Sequence, residues 1–188
     1  MIIETERLVL REMNMDDYDS LYAVLGDSDI MQHYPHPFNE EMVRKWIESN
    51  IERYKTFGFG LWAVCLKENN EMIGDCGLTI QRINGVMKPE IGYHIRADMQ
   101  KMGYAKEAAI AVRDWTFNNT TFKEIYSYMK YTNIASAKCA ESWGCHFKYE
   151  YEDDVNEITK VYVITKEEWN NLKNKSCSFL NSSNDNNY

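Results

Sequence analysis

Three strand-sized runs, residues 60–66, 72–81 and 88–96, follow one another with only polar turns at Glu68-Asn69-Asn70-Glu71 and Asn84-Gly85 between them. Connections that short cannot carry a chain over to a parallel neighbour, so the runs must form an antiparallel meander. Beyond Gly103 the period changes: Ala105, Ala108, Ala109, Val112 and Trp115 recur at helical spacing until the polar run Asn118-Asn119-Thr120-Thr121. A strand at 123–130, a helix opened by Asn133 and closed by Gly144, and two strands near 145–152 and 158–164 come next. Thr165-Lys166-Glu167-Glu168 reads as a capping box that starts a short final helix through Trp169 and Leu172.

Ahead of the meander, residues 2–11 read as one strand. Asn14 can cap a helix whose buried stripe is Tyr18, Leu21, Tyr22 and Leu25, and Gly26 ends it. The segment Gln32-His33-Tyr34-Pro35-His36-Pro37-Phe38 is an irregular loop leading to an Asn39 cap. The second helix carries Met42, Val43, Trp46, Ile47, Ile51 and Tyr54 on one stripe and stops before Gly58. The order β-α-α-β-β-β-α-β-α-β-β predicts a mixed α/β sheet with helices on its faces.

At 188 residues the chain is expected to form one domain over 1–174. The Asn- and Ser-rich stretch 175–188 is read as a disordered tail. No apolar run approaches the roughly 20 residues of a bilayer span, and no basic-then-apolar leader precedes the first strand. The expectation is a cytoplasmic protein without membrane attachment. The odd set of five cysteines, with no Cys-x-x-Cys pair, points to reduced thiols. Neither these nor the four histidines show ligand spacing, so no metal is expected. A net charge of −8 disfavours nucleic acid as a partner and either suits cationic small molecules or basic peptide ends or serves solubility alone. Tyr126, Tyr128, Tyr131 and Trp143 accordingly read as core and cleft wall, not as a stacking platform for bases.

The strand ending near Arg96, then Gln100-Lys101-Met102-Gly103-Tyr104-Ala105-Lys106 opening a helix, can hold a pyrophosphate. Unpaired N–H groups of a first helical turn point at an anion, and the helix dipole favours it. Gly103 and Ala105 let phosphate oxygens approach the main chain, and Lys101 and Lys106 add charge from the flanks. The same turn is also compatible with an ordinary tight connection. There is no Gly-x-x-x-x-Gly-Lys-Ser/Thr, and the turn follows a meander instead of opening a βαβ unit, so a nucleotide-phosphate domain of another class lacks support.

Gln100, Gly103 and Ala105 match the Gln/Arg-x-x-Gly-x-Gly/Ala turn of the GNAT superfamily of acetyl-CoA-dependent N-acetyltransferases, which the chain resembles over about residues 2–173. Further blocks resemble its RimJ/RimL-like branch: Thr5 to Arg11, Ile73-Gly74, Glu90-Ile91-Gly92-Tyr93, Asn133-Ile134-Ala135-Ser136, and Thr165 to Trp169. The resemblance implies a mixed, mostly antiparallel seven-stranded sheet, splayed between its fourth strand (90–96) and its fifth (123–130). Acetyl-CoA would lie in that splay as cosubstrate, its pantetheine arm pairing with main-chain groups of Ile95 and Arg96 as an added strand does. Asn133 would bond the pantetheine, or simply cap its helix. The loop residues His33, Tyr34, His36 and Phe38 would line the acceptor pocket, or else pack their aromatics within a Pro-stiffened loop. The acceptor would be an amine-bearing small molecule or a protein N-terminus, and the enzyme a monomer or homodimer.

Acetyl transfer from a thioester needs a neutral amine, a stabilised oxyanion and a proton for the thiolate. Glu90 is the candidate base; strand alternation sets Glu90, Gly92 and His94 on one face and Ile91, Tyr93 and Ile95 on the other. The alternative for Glu90 is an exposed charge at a strand end. Many GNAT enzymes place an acidic Tyr where this chain has Ala140, and the RimJ/RimL-like pattern suggests Ser136 for that role. A serine at that position can equally serve in capping, and solvent can protonate a thiolate. A non-catalytic acyl-CoA-binding module is the competing reading, motivated by Ala140.

Overall fold

At Asn84 and Gly85 the chain reverses with φ of 47° and 77°. That left-handed pair matches the twist of a two-residue hairpin and joins β4 (Met72–Ile83) to β5 (Val86–Ile95) in register, Ile83 opposite Val86 and Gly74 opposite Ile95. β3 (Leu61–Leu66) pairs antiparallel with β4 on the other side. The computed structural model describes residues 2–182, and the expected meander forms its centre.

The remaining elements are β1 (Ile2–Glu4), β2 (Leu8–Arg11), α1 (Tyr18–Leu25), α2 (Glu40–Phe57), α3 (Tyr104–Asn119), β6 (Glu124–Lys130), α4 (Ile134–Ser142), β7 (His146–Asp153), β8 (Glu157–Thr165) and α5 (Lys166–Ser182). The strands form one eight-stranded sheet in the order β1-β2-β3-β4-β5-β6-β8-β7. The sheet is mixed and mostly antiparallel, as expected, but it has one strand more than the seven anticipated. The run 2–11 is not one strand: it folds back at Thr5–Arg7 so that Ile2 faces Arg11. Thr5 Oγ1 accepts from Leu8 N–H (2.9 Å) and donates to Glu107 of α3 (2.6 Å), so a side chain 102 residues away helps hold a turn that carries no Gly, Pro or Asn.

Sequence-local signals set the helix ends. Asn39 accepts from Met42 N–H at the start of α2, and Gly58 ends it at φ 76°. Asn14 caps a short 3₁₀ turn, Met15–Asp17, that runs into α1. Thr165 and Glu168 exchange the hydrogen bonds of the expected capping box. α5 then continues to Ser182, past the end expected near Leu172, so the stretch read as a disordered tail begins inside a helix; residues 183–188 lie outside the described residues.

Helices cover both faces. On one, α1 and α2 bury Leu21, Val24, Leu25, Val43 and Ile47 against Leu61, Ala63 and Cys65. On the other, α3, α4 and α5 bury Ala108, Ala109, Val112, Ala140 and Trp169 against Leu8, Leu10, Trp62, Val64 and Ile91. Covered on both sides, β3 is buried at every residue, which explains its unbroken apolar run.

Among the described strands only β5 and β6 run parallel, because α3 crosses over between them. They meet at a single bridged pair, Glu90 with Tyr126, and part from there toward the C-terminal end of β5. This is the expected splay.

Gly74 leaves no room for a side chain between β4 and β5: a Cβ there would lie 2.0 Å from the His94 carbonyl oxygen. Gly74→Ala must push the two strands apart and is expected to cost about 2–4 kcal/mol. Urea unfolding followed by circular dichroism would show the lowered midpoint.

Candidate active site

The turn after β5 has the geometry its sequence suggests. Lys101 (φ 62°) and Gly103 (φ 86°) both take left-handed backbone, and Gly103 is the N-cap of α3. The first intrahelical bond runs from Glu107 N–H to Gly103 O (3.0 Å), so the N–H groups of Tyr104, Ala105 and Lys106 precede the helical ladder. Gln100 braces the turn by donating from Nε2 to Ile95 O (2.9 Å).

Arg7, which sequence reasoning did not single out, locks the same turn from the first hairpin. Its guanidinium donates to Met102 O (3.0 Å), pairs with Glu107 (2.6–2.7 Å) and stacks 4.4 Å over the Tyr104 ring, while its backbone N–H donates to Glu107 as well (2.8 Å). The partners are about 100 residues apart in sequence, and no local pattern announces them.

The open edge of β5 departs from expectation at Arg96. Its N–H donates to Ile73 O (2.8 Å), its carbonyl accepts from Met99 N–H (2.9 Å), and its side chain pairs with Asp98 and Glu71. The Arg96 N–H is therefore committed inside the protein, and its carbonyl already accepts one bond. Since Arg96 bonds toward β4, alternation turns the main chain of Ile95 and Tyr93 toward the gap. The Ile95 carbonyl is shared with Gln100. On the far side of the gap, Asn133 caps α4 by accepting from Ser136 N–H (3.0 Å). Tyr93 OH donates to Ser136 O (3.0 Å) and stands 3.4 Å from Ser136 Oγ. Ala140 is fully buried.

Strand alternation divides β5 as expected. Tyr93 points to α4, whereas Glu90 and His94 point to the α1–α2 side. Glu90 is not an exposed strand-end charge: it is 7% exposed and accepts from Thr79 Oγ1 (3.0 Å). Its carboxylate leans over Gly92, with both oxygens 3.4 Å from where a Cβ would stand. Burial pushes the Glu90 carboxyl up to about 7, helped by Asp75 and opposed by the Thr79 hydrogen bond and by His94.

Next to Glu90 lies a chain of hydrogen bonds. Asp75 of β4, fully buried, accepts from Trp46 Nε1 (2.9 Å) and lies 2.7 Å from His94 Nδ1. His94 Nε2 lies 2.7 Å from the Tyr34 hydroxyl. Burial works against the imidazolium of His94, but Asp75, and further off Glu90, outweigh it and raise its pKa. Tyr34 packs edge-on against Phe38, which packs edge-on against Trp46, so the Pro-rich loop both orders its aromatics and presents them to the cleft. His33 reaches the other wall, 3.4 Å from Thr132 Oγ1; burial and Lys130 lower its pKa. Tyr128 stands near enough to Glu90 to be raised by it, after burial. Tyr126 and Trp143 are buried in the core. Among the described residues no group of three or more His, Cys, Asp or Glu is placed to hold a metal ion, and no helix is long and apolar enough to cross a membrane.

The parted β5/β6 pair, the N–H-rich turn at its mouth and the buried carboxylate on the opposite face stand together as the sequence led us to expect. The model of the acetyltransferase (GNAT) domain family matches residues 7–146, and the chain belongs to that family. The chain is 33% identical over 144 residues to the protein YkkB of Bacillus subtilis, covering 76% of this chain and 84% of YkkB. An acetyltransferase structure from Agrobacterium tumefaciens superposes with a TM-score of 0.77 at 25% identity, over 88% of this chain and 95% of that one. RimL, a ribosomal L7/L12 α-N-protein acetyltransferase solved in complex with coenzyme A, shares the fold at a TM-score of 0.73 and 19% identity, over 88% of this chain and 98% of RimL.

The raised Glu90 has a consequence for stability. Between about pH 4.5 and 7 the folded protein holds a proton that the unfolded chain releases, so stability falls as pH rises through that window, by up to about 3 kcal/mol. Glu90→Gln removes this penalty. Thermal melts are expected to show the variant more stable than the wild type at pH 8, with the difference shrinking toward pH 4.5.

Proposed function

We propose that this chain is an N-acetyltransferase that moves an acetyl group from acetyl-CoA to a primary amine by direct attack in a ternary complex, with Glu90 as base. The observation that carries this reading is the parting of β5 from β6 immediately beyond the Glu90–Tyr126 pair. It leaves one strand edge open to a pantetheine arm, with the Gly103 turn at the end of that strand and Glu90 where the gap closes.

The residues fit such a cosubstrate. The N–H groups of Tyr104, Ala105 and Lys106, opened by the positive φ of Gly103, would bind the pyrophosphate. Gln100 and Arg7 hold that turn in shape, and Lys101 and Lys106 flank it. Ile95 and Asn133 would take the pantetheine amides; the Arg96 main chain is already bonded elsewhere. Bound there, acetyl-CoA supplies an activated acyl carbon. Glu90, ionised above about pH 7, accepts a proton from the incoming amine.

The acceptor enters from the α1–α2 side, where Tyr34 and Tyr128 stand near Glu90, Tyr34 bonds His94, Phe38 packs on Tyr34, and His33 lies at the Thr132 wall. Carboxylates and tyrosine faces suit a cationic amine, such as a protein N-terminal α-amine or a small-molecule amine. Ser136 lies beside Tyr93 on the cofactor side of β5 and is the candidate proton donor to the leaving sulfur. The competing reading, a non-catalytic acyl-CoA-binding module, draws on the buried Ala140.

Calorimetric titration with acetyl-CoA separates these readings. The wild type should bind, and Gly103→Trp should lose at least about tenfold in affinity, because the indole fills the phosphate cradle. Against a panel of peptides with free α-amines, polyamines and aminoglycosides, Glu90→Gln should keep acetyl-CoA affinity and lose about 100-fold in kcat. Binding without acetylation of any amine by the wild type would leave only the binding module.

A further inference from the structure

A primary amine reaches an enzyme at neutral pH mostly as an ammonium, since its pKa is about 8 for an α-amine and about 10 for a lysine-type amine. Turning R–NH₃⁺ into an amide R–NH–acyl removes two protons from one nitrogen. The first must leave before attack, to free the lone pair; the second leaves as the N–C bond becomes an amide. Glu90, a single carboxylate enclosed by protein, takes one. The cleft holds a second acceptor that neither the family match nor the relatives assign.

Resting on the acetyltransferase reading above, we propose that Tyr34, His94 and Asp75 form a proton relay that removes the second proton from the acceptor nitrogen. The contacts run without a break from the cleft to a fully buried carboxylate: Tyr34 OH to His94 Nε2 at 2.7 Å, and His94 Nδ1 to Asp75 Oδ1 at 2.7 Å. Asp75 accepts a second bond from Trp46 Nε1 (2.9 Å), which fixes its remaining oxygen. With the Asp75 carboxylate as acceptor, the neutral imidazole carries its proton on Nδ1 and offers the Nε2 lone pair to the Tyr34 proton. With its O–H donated to His94, the Tyr34 oxygen keeps lone pairs available to accept a proton, on a residue that is 42% exposed.

Every strand and loop at His94 contributes to this poise. From β4 comes Asp75; from its own strand, Glu90; from the α1–α2 loop, Tyr34; α2 presents the Trp46 indole, edge-on at 6.1 Å. The two carboxylates favour the imidazolium that forms when the relay fires. Burial, together with Glu90, Asp75 and Tyr128, holds the Tyr34 phenol above its usual pKa, so Tyr34 passes a proton on and does not rest as a phenolate.

The step balances. The acceptor nitrogen gives its first proton to the Glu90 carboxylate and forms the N–C bond to the acyl carbon. The C–S bond breaks, and its electron pair leaves on sulfur, which is protonated by solvent directly or through Ser136, whose hydroxyl takes a proton back from water. The nitrogen gives its second proton to Tyr34 Oη as the Tyr34 proton moves to His94 Nε2. The imidazolium and the protonated Glu90 then release their protons to water. Both groups must begin unprotonated, Glu90 as carboxylate and His94 as neutral imidazole, so kcat falls as pH drops through either pKa, and log kcat against pH should approach a slope of 2 on the acid side.

The test is the kcat–pH profile of the wild type, Tyr34→Phe and Asp75→Asn, each first checked by circular dichroism and for unchanged acetyl-CoA affinity. Asp75→Asn keeps the size of the side chain but presents an amide N–H to His94, which shifts the imidazole proton to Nε2 and blocks acceptance from Tyr34. Supporting results are a loss of about tenfold or more in kcat in both variants, with the acid limb reduced to a slope of 1. Wild-type kcat and slope in Tyr34→Phe overturn the relay and leave the acetyltransferase reading standing. A loss of kcat with the slope unchanged overturns it too, because a merely structural role moves the rate without moving the profile. A wild type that binds acetyl-CoA but acetylates no amine overturns the relay and the proposed function together.

Discussion

The crossover through α3 constrains everything else. Because β5 and β6 are joined by a helix and not by a hairpin, they run parallel inside an otherwise antiparallel sheet, and they are bridged at one pair of residues before they part. An antiparallel ladder would have closed that edge along its whole length. The parting leaves main-chain groups of β5 without a strand partner, and it brings the start of α3, with its unpaired N–H groups, to the end of the same edge. One topological choice therefore creates both the opening and the anion-binding end beside it.

The pleat of β5 then divides the chemistry. Successive residues point to opposite faces, so Tyr93 serves the α4 side while Glu90 and His94 serve the α1–α2 side. Gly92, between the two acidic-face residues, leaves room for the Glu90 carboxylate to lean along the strand. Enclosing Glu90 beside Asp75 opposes stability, since burial disfavours charge and two carboxylates repel, whereas the same carboxylates favour the charged form of His94. The surrounding structure holds them by Thr79, Trp46 and Tyr34, each from a different element. The chain's net charge of −8 has no part in that local balance; near neighbours set it.

Local signals made much of the fold legible. The Asn84-Gly85 turn, the Asn39 cap, Gly58 and the Thr165/Glu168 box act within a few residues, and each element formed where those signals placed it. The first hairpin was missed because its turn is held by Glu107 from α3, not by turn-forming residues of its own. The turn of the Arg96 main chain toward β4 was not legible for a related reason: which of two successive main-chain groups faces an open edge depends on the hydrogen-bond phase with β4, and the side-chain pattern does not encode that phase.

The sequence by itself determined the α/β element order, the Gly103 turn and the face on which Glu90 sits, because helical and strand periods, caps and glycine conformations are properties of adjacent residues. Tertiary structure alone decided that Arg7 would clamp that turn, and that Asp75, His94 and Tyr34 would line up across two strands and a loop. Those partners stand 95, 19 and 60 positions apart, and contacts at such separations follow from how the sheet and helices pack, which no local pattern along the chain records.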